Sequence, residues 1–465
     1  MALSARGHQA PSPTERAQLE VRLTAKVLQA LGPSLPTLAP SAVCKALFSA
    51  ATNHLDLGLS PGDLQPAVRV LQTMALDGSL AAPNLLVHFS RGLWALPQLG
   101  TDATPALATW AACLGPPNTS NSTFDPNQHA IATTHMSNAS SPGLTSDRAG
   151  PYRDALSALT PPKMAQLLST VAPASLPSHF PSATIASAPG HVAHLLLTLQ
   201  DVAAETVRRE PEGAPRIIVA VAKGGYLRHG SLHGPLLDAC RHALDSTPGI
   251  YQALSPRAAH ALVLSMSRLG LRDLQALSQV QVRAQAWAAE EEVEASRNNG
   301  SSRGGGSGSS NNNRRGVMEA ADAAALAAAF AAHGYYPGDA LLQRAIAVQD
   351  HQNSYNQQKK GTGNTSSSTT NTTTTTRQLR AIADGAYAWA VFDKCPPLSF
   401  YRSSLDALPD IIAQLTPSTV ARFAYSMAKL LPRVLGVRDD EDEGNTYSHP
   451  HPHQRPVTHT QTLTL

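Results

Sequence analysis

Histidine is the residue of this sequence best suited to acid–base catalysis, and its surroundings argue against that role. His194, His242 and His260 each fall in an amphipathic segment with no Ser, Cys or carboxylate at a spacing typical of a catalytic group. The sequence also lacks the HExxH and GxSxG motifs and a phosphate-binding glycine loop. It therefore predicts a protein that is not an enzyme.

Metal binding finds equally little support in the sequence. The four cysteines are Cys44, Cys113, Cys240 and Cys395. They have no CxxC spacing and no histidine at a zinc-ligand distance, so we expect free thiols in a reducing compartment. Three histidines alternate with prolines between residues 449 and 453, where low complexity is the simpler explanation. We predict no metal site and no cofactor.

Basic side chains recur at one position of a repeated segment, where they could bind phosphate groups. Six segments align at their last residues: RGLWALPQLG (91–100), IVAVAKGG (218–225), LSMSRLG (264–270), AAFAAHG (328–334), YAWAVFDKC (387–395) and YSMAKLL (425–431). The position before the closing Leu-Gly holds Lys223, Arg268 and Lys429 in three of them. Gln98, Asp393 and an alanine occupy it in the others.

This position has two interpretations. Equivalent residues of stacked repeats form a row along one surface, so Lys223, Arg268 and Lys429 are the candidate RNA-binding residues. Alternatively, a cation in the last turn of a helix only stabilises the helix dipole, by ~0.3–1 kcal/mol. Bases could also stack on Trp94, Trp389 or Tyr425, although packing in the core is the simpler role for aromatic side chains on an apolar stripe.

The elements that carry these positions are helices with a recurring beginning. Five segments open with Ser, Thr or Ala before Pro, or with a closely similar sequence: 38–51, 159–172, 187–200, 254–270 and 415–431. A Ser or Thr oxygen caps the free N–H groups of a helix, and proline is favoured at its first position. Apolar residues follow at helical spacing. Four of the six endings close on glycine, which is typical of a left-handed C-cap.

The endings recur with a period of about 41 residues once inserted segments are removed, enough for two helices and two turns. Segments 234–246 and 400–415 fit the second helix of such a unit. RIIVAV (216–221) is the one strand-like run, and it lies where a helix belongs. We therefore predict an all-α fold, specifically an α-solenoid of stacked helical hairpins with disordered insertions.

Changes in composition divide the chain into repeats and polar segments. The predicted repeats span 16–115, 151–296, 317–349 and 378–438. Disordered insertions rich in Ser, Thr, Asn or Gly are predicted at 116–150, 297–316 and 350–377. Residues 1–15 are interpreted as a flexible arm compatible with an organellar transit peptide, and 439–465 as an acidic, then His/Pro-rich disordered tail.

Overall composition gives only a weak indication of a partner. The 36 basic and 33 acidic residues leave a net charge of +3, too small for a general polycation. The predicted repeats 377–438 carry +4, which the acidic run at 439–443 offsets. No apolar run approaches the ~18 residues of a membrane span, so we expect none.

The repeated segments also resemble a known family. RGLWALPQLG, YAWAVFDKCPP and RFAYSMAKLL resemble the phrase LWALAKLG of the octotricopeptide repeat proteins of green algae. Those proteins are similar in turn to the helical region of FAST-kinase-like mitochondrial proteins. The resemblance covers residues 38–100 and 151–431 and is most specific in 254–270 and 387–431.

The resemblance implies an organellar factor that binds single-stranded RNA in transcript maturation, stability or translation. The implied partners are organellar RNA and other proteins of an RNA-processing complex. The implied location is the chloroplast, with the mitochondrion second. A function of another class stays open, because the extended surface of a solenoid can equally serve as a scaffold for a protein partner.

Overall fold

The structure is a computed structural model of the 465-residue chain and describes residues 38–52, 61–114, 149–174, 190–226, 234–300, 318–346 and 369–435. Within these ranges it contains eighteen α-helices, three short 3₁₀ turns and no β-strand. The predicted all-α class is therefore confirmed for the described residues. The strand-like run RIIVAV lies inside a helix.

Eight helices form one row in which each helix packs against the next. They are α1 (Pro40–Thr52), α3 (Pro83–Gln98), α6 (Pro161–Ala174), α8 (Ala214–Gly224), α11 (Pro256–Arg268), α13 (Ala320–Ala332), α15 (Thr369–Val391) and α18 (Pro417–Val434). Contacts join α1 to α3, α3 to α6, α6 to α8, α8 to α11, α11 to α13, α13 to α15 and α15 to α18. We call these eight helices the first row.

Six further helices make a second row beside the first. They are α2 (Gln65–Leu76), α4 (Thr104–Cys113), α7 (Gly190–Arg209), α9 (Gly234–Ser246), α12 (Leu274–Gly300) and α14 (Asp339–Ile346), each in contact with the next. Four shorter helices are α5 (Ala149–Ser157), α10 (Gly249–Gln252), α16 (Leu398–Asp406) and α17 (Leu408–Gln414). Large buried side chains join the two rows: the rings of Phe89 on α3 and Trp110 on α4 meet edge to face at 5.3 Å.

The predicted helix beginnings are present in the structure. First-row helices start at Pro40, Pro161, Pro256 and Pro417, and α7 of the second row starts just after the similar sequence at 187–189. Ser255 supplies the expected cap, because its Oγ accepts a hydrogen bond from the Ala258 N–H at 3.3 Å. Pro therefore marks these helix starts even where the side-chain cap is not made.

The predicted helix ends are also present, and they reveal one misaligned segment. Gly100, Gly225, Gly270 and Gly334 all have φ between +65° and +79°. The residue after such a glycine bonds back to the carbonyl five residues earlier, as in Leu271 N–H to Met266 O at 2.9 Å. Asp393 takes the same left-handed place after α15, with φ +60°. The alignment of that segment at Cys395 was therefore wrong by two residues.

Most of the segments predicted to be disordered lie outside the described residues, as do the N-terminal arm 1–15 and the tail 439–465. The structure differs from the prediction at one end of each insertion: α5 begins at Ala149 inside 116–150, α12 continues to Gly300 inside 297–316, and α15 begins at Thr369 inside 350–377. The last of these has the largest overlap. Its residue Arg377 is ion-paired with Glu319 and Asp322 near the start of α13, at 2.8 and 2.9 Å. The polar composition of this segment therefore does not predict the helix, which is ion-paired to the start of α13 at Arg377.

Candidate nucleic-acid interface

Two of the three predicted RNA-binding residues occupy equivalent places in the first row. Lys223 on α8 and Arg268 on α11 each stand two residues before a left-handed glycine, and both side chains are exposed. Neither has a hydrogen bond or an ion pair among the residues that the structure describes. Both cations are therefore available to a ligand.

The structure assigns Lys429 to a different place. It lies inside α18, which continues to Val434, so it does not share the last-turn position of Lys223 and Arg268. Its Nζ lies 3.3 Å from Oδ1 of Asp393, and Arg433 lies 2.6 Å from the other carboxylate oxygen. The predicted equivalence of Lys429 is therefore wrong, because its helix continues for five residues beyond it.

An open groove of about 1090 Å³ crosses α6, α8 and α11 at the level of Lys223. Arg216 lines the same groove, seven residues before Lys223 and therefore on the same face of α8. The prediction missed Arg216, although its two-turn spacing from Lys223 was readable in the sequence. The groove thus presents two cations from one helix.

Small side chains form much of the wall opposite and beside these cations. Ala165 and Ser169 on α6, Val219 on α8 and Ala258 and Ala261 on α11 all line the groove. Because such short side chains leave room above the helices, a flat or extended ligand could approach the backbone closely. Arg209, Glu210 and Glu212 line the groove as well, so it combines steric access with a net charge of +1.

Charge is unevenly divided between the helices. The first row carries twelve basic residues and two acidic ones, Asp322 and Asp384, a net charge of +10. Its cations are Lys45, Arg91, Lys163, Arg216, Lys223, Arg257, Arg268, Arg377, Arg380, Arg422, Lys429 and Arg433. The other ten helices carry nine basic and twelve acidic residues, a net charge of −3. The small net charge of the whole chain therefore hides a strongly positive row.

The cations of the first row are paired with carboxylates at one end of the row and unpaired elsewhere. Toward the C-terminal end, Asp322 pairs with Arg257 at 3.6 Å and with Arg377 at 2.9 Å. Asp384 is hydrogen-bonded to Arg422 there. Five cations have neither a hydrogen bond nor an ion pair within the described ranges: Lys45, Arg91, Arg216, Lys223 and Arg268, although the Arg91 guanidinium lies over the Phe48 ring at 5.2 Å. The uncompensated charge thus lies on α1, α3, α8 and α11.

Two histidines of the first row lie in this positive field. Burial lowers the pKa of His88 on α3 below its ordinary value, and the charges of Lys45 and Arg91 lower it further. Burial likewise lowers the pKa of His260 on α11, with an added effect of Arg380. Both imidazoles are therefore held neutral by burial and by neighbouring cations.

The aromatic candidates for base stacking have separate environments. Trp389 is buried, as the core interpretation predicted. Trp94 is half-buried against the ring of Phe48, with 5.4 Å between centroids. Tyr425 is 65% exposed, but it lies on the far side of the last helix from its neighbour α15. None of the three lines the groove.

Groups with catalytic potential are buried or dispersed. Burial raises the pKa of the Cys44 and Cys240 thiols to about 12, which keeps them protonated. In the part of the chain that the structure describes, no three His, Cys, Asp or Glu residues converge as metal ligands would. The same described helices include none with the length and apolar character that crossing a bilayer requires.

The sequence was compared with models of protein families and with curated proteins. No family model matches the chain, and no curated protein is significantly similar to it. The functional argument therefore depends on the geometry and charge of the described helices.

Proposed function

We propose that this protein is an α-solenoid built from helical-hairpin repeats of about 41 residues, and that it binds single-stranded RNA along its first row. Two rows of sequentially packed helices support the solenoid. So does the spacing of helix starts: α8 and α11 begin at Ala214 and Pro256, 42 residues apart, and α1 and α3 begin at Pro40 and Pro83, 43 apart.

The observation that carries the proposal is the division of charge between the rows. A polyanion gains affinity from each Lys or Arg that replaces a counterion on its phosphates. The first row offers a net charge of +10 on adjacent helices, whereas the remaining helices are net negative. A nucleic acid is therefore attracted to one surface and repelled from the other.

The lining of the groove favours single-stranded over double-stranded nucleic acid. Arg216 and Lys223 stand on one wall, and the floor is formed by alanine, serine and valine side chains. Phosphates can contact the cations while unstacked bases lie against the small residues.

The proposed setting is an organelle, with the chloroplast before the mitochondrion, and the proposed role is maturation, stabilisation or translation of a transcript. This part of the proposal is supported by the resemblance of the repeated segments to octotricopeptide repeat proteins. The partners would be organellar RNA and other proteins of an RNA-processing complex.

Crosslinking in cells tests the proposal. The tagged chain is irradiated, purified under denaturing conditions, and its bound RNA is sequenced beside a variant with Arg216→Ala, Lys223→Ala and Arg268→Ala. We expect organellar transcripts with the wild-type chain and at least a fivefold loss with the variant. Crosslinks no higher than those of an untagged control would contradict RNA binding, and cytosolic transcripts would contradict the organelle.

A further inference from the structure

Among the residues that the structure describes, none covers one apolar face of the last helix of the first row. Helix α18 packs against α15, α16 and α17 through Phe423, Met427 and Leu430. Its opposite side is exposed and carries six apolar residues at helical spacing: Ala421, Ala424, Tyr425, Ala428, Leu431 and Leu435. We call these six residues the α18 stripe. Tyr425 is 65% exposed, Leu431 41% and Leu435 64%, which is unusual for such large side chains at one place.

The charged side chains near the α18 stripe are paired within the chain. Arg422 is bonded to Asp384, while Lys429 and Arg433 both pair with Asp393. The stripe itself contains no charged residue. This end of the row therefore differs from the places of Lys223 on α8 and Arg268 on α11, which are unpaired among the described residues, and it is suited to an apolar partner rather than to a polyanion.

The segment that follows the helix does not have the sequence to cover it. After Leu435 come an acidic run at 439–443 and alternating His and Pro between 449 and 453. Apolar residues at helical spacing are missing there. Helix α1, at the other end of the row, does not offer a complementary apolar surface to the α18 stripe, because its exposed residues include Lys45, Ser49 and Thr52.

We propose that the α18 stripe binds the same stripe of a second copy of this chain, with the two helices antiparallel about a twofold axis. An isologous contact requires a surface that is complementary to itself. If Ala428 lies on the axis, Ala421 of one copy meets Leu435 of the other and Tyr425 meets Leu431. A small residue then faces a large one at the two ends of the contact, two large side chains pack together nearer its centre, and an alanine lies where the two helices cross.

The size of the face agrees with a specific but modest interface. Three large half-exposed side chains and three alanines offer on the order of 500 Å² per copy, so a pair buries about 1,000 Å², near the lower limit for a specific complex. We therefore expect a dimer with a dissociation constant in the micromolar range. Dimerisation at this end leaves Lys223 and Arg268 free, because they lie on other helices of the row.

Sedimentation of the full chain after nuclease treatment tests the contact. We expect a concentration-dependent species of twice the 48.9 kDa chain mass. Ala428→Glu places two carboxylates against each other at the axis and raises the dissociation constant at least 100-fold. Ala289→Glu, at an exposed alanine of α12, is the matched control and leaves the dimer unchanged. A chain that stays monomeric at 100 μM, or a dimer that Ala428→Glu does not weaken, overturns the proposal.

Crosslinking fixes the arrangement of the two helices independently. In a chain with Cys395→Ser, which removes the exposed cysteine among the four, Ala428→Cys joins to its copy through a short bismaleimide. Ala421→Cys is the control, because fourteen residues of helix separate its two copies by about 21 Å. Equal crosslinking of the two variants overturns the antiparallel arrangement. Unchanged circular dichroism of each variant shows that the fold is retained.

Discussion

Two lysines that look equivalent in the sequence have different surroundings at the residue scale. Lys223 is exposed beside the groove without a partner among the described residues, whereas Lys429 is paired with Asp393 at 3.3 Å. A cation that is already paired gains little from a phosphate, because it must first lose its own carboxylate.

The first prediction separates these two roles. Lys223→Ala weakens RNA binding severalfold and changes the melting temperature little, because the side chain has no hydrogen bond or ion pair among the described residues. We expect Lys429→Ala to leave RNA affinity unchanged. It lowers the free energy of unfolding by less than about 1 kcal/mol, which is the usual contribution of an exposed ion pair. Affinity and thermal melting are measured on both variants. Equal loss of RNA affinity would show that Lys429 belongs to the interface after all.

Asp393 provides the second prediction at this scale. Arg433, by its hydrogen bond, and Lys429 hold the pKa of Asp393 below its ordinary value, so the carboxylate stabilises the fold above about pH 4 and this stabilisation is lost as the pH falls further. Asp393→Asn keeps a side chain that tolerates the left-handed conformation but removes the charge. We expect the stability difference between wild type and variant to be present at pH 7 and to shrink below pH 4. A difference independent of pH would contradict the ion-pair explanation.

Individual residues also show where prediction from the sequence succeeds and where it fails. Lys223 and Arg268 could be aligned because a glycine with positive φ marks the end of each helix. Asp393 fills the same backbone role with a side chain, so the alignment shifted there. Arg216 was missed because the comparison followed helix ends, whereas its link to Lys223 is a shared helix face. Ion pairs between distant segments, such as Lys429 with Asp393, have no local signal.

At the scale of elements, one close approach holds α6 beside the 3₁₀ turn that precedes α8. A Cβ built on Gly213 would lie 2.3 Å from Cβ of Pro161, the first residue of α6. No side chain except that of glycine fits at this distance. The junction lies at one end of the groove, so it fixes the position of Arg216 and Lys223 relative to α6.

The third prediction tests this junction. Gly213→Ala destabilises the protein by about 2–3 kcal/mol, because neither a proline ring nor the backbone of the turn can yield easily. Gly249→Ala, in the same groove, is the control: its added Cβ meets no atom within 4 Å, so we expect little change. Chemical denaturation of the two variants measures the difference. Equal free energies of unfolding for the Gly213→Ala and Gly249→Ala variants would mean that α6 and the turn can move apart without a loss of stability.

Helix type and helix beginnings were predictable from the sequence because local chemistry sets them. Proline at the first position and apolar residues at helical spacing were sufficient for α11 and α18. The start of α15 at Thr369 was not predictable, because a threonine tract has low helix propensity. The ion pairs of Arg377 with Glu319 and Asp322, eight residues further along, have no local signal in the sequence either. The order in which helices pack follows from tertiary contacts that composition does not encode.

At the scale of the whole molecule, the positive first row should couple RNA binding to proton uptake. Burial and the charges of Lys45 and Arg91 lower the pKa of His88, and a bound phosphate would offset those charges. The fourth prediction is therefore that RNA affinity rises as the pH falls from 7.5 to 6, and that His88→Gln flattens this dependence. His242→Gln, on the second row, is the control. An identical pH dependence in wild type and His88→Gln would place the RNA away from α3.

The central claim is that RNA binds to the first row and not to the second. Its most direct test is the salt dependence of affinity for one single-stranded RNA, measured on two variants that each lose three positive charges. One carries Arg216→Gln, Lys223→Gln and Arg268→Gln, and the other carries Arg69→Gln, Arg208→Gln and Arg402→Gln at exposed positions of other helices.

Each lost phosphate contact lowers the slope of log affinity against log salt by about 0.7 for a single strand. The account predicts that the first-row variant loses about 2 from this slope together with most of its affinity, whereas the other variant keeps the wild-type slope. Equal slopes in the two variants, or a larger loss in the second, would contradict it.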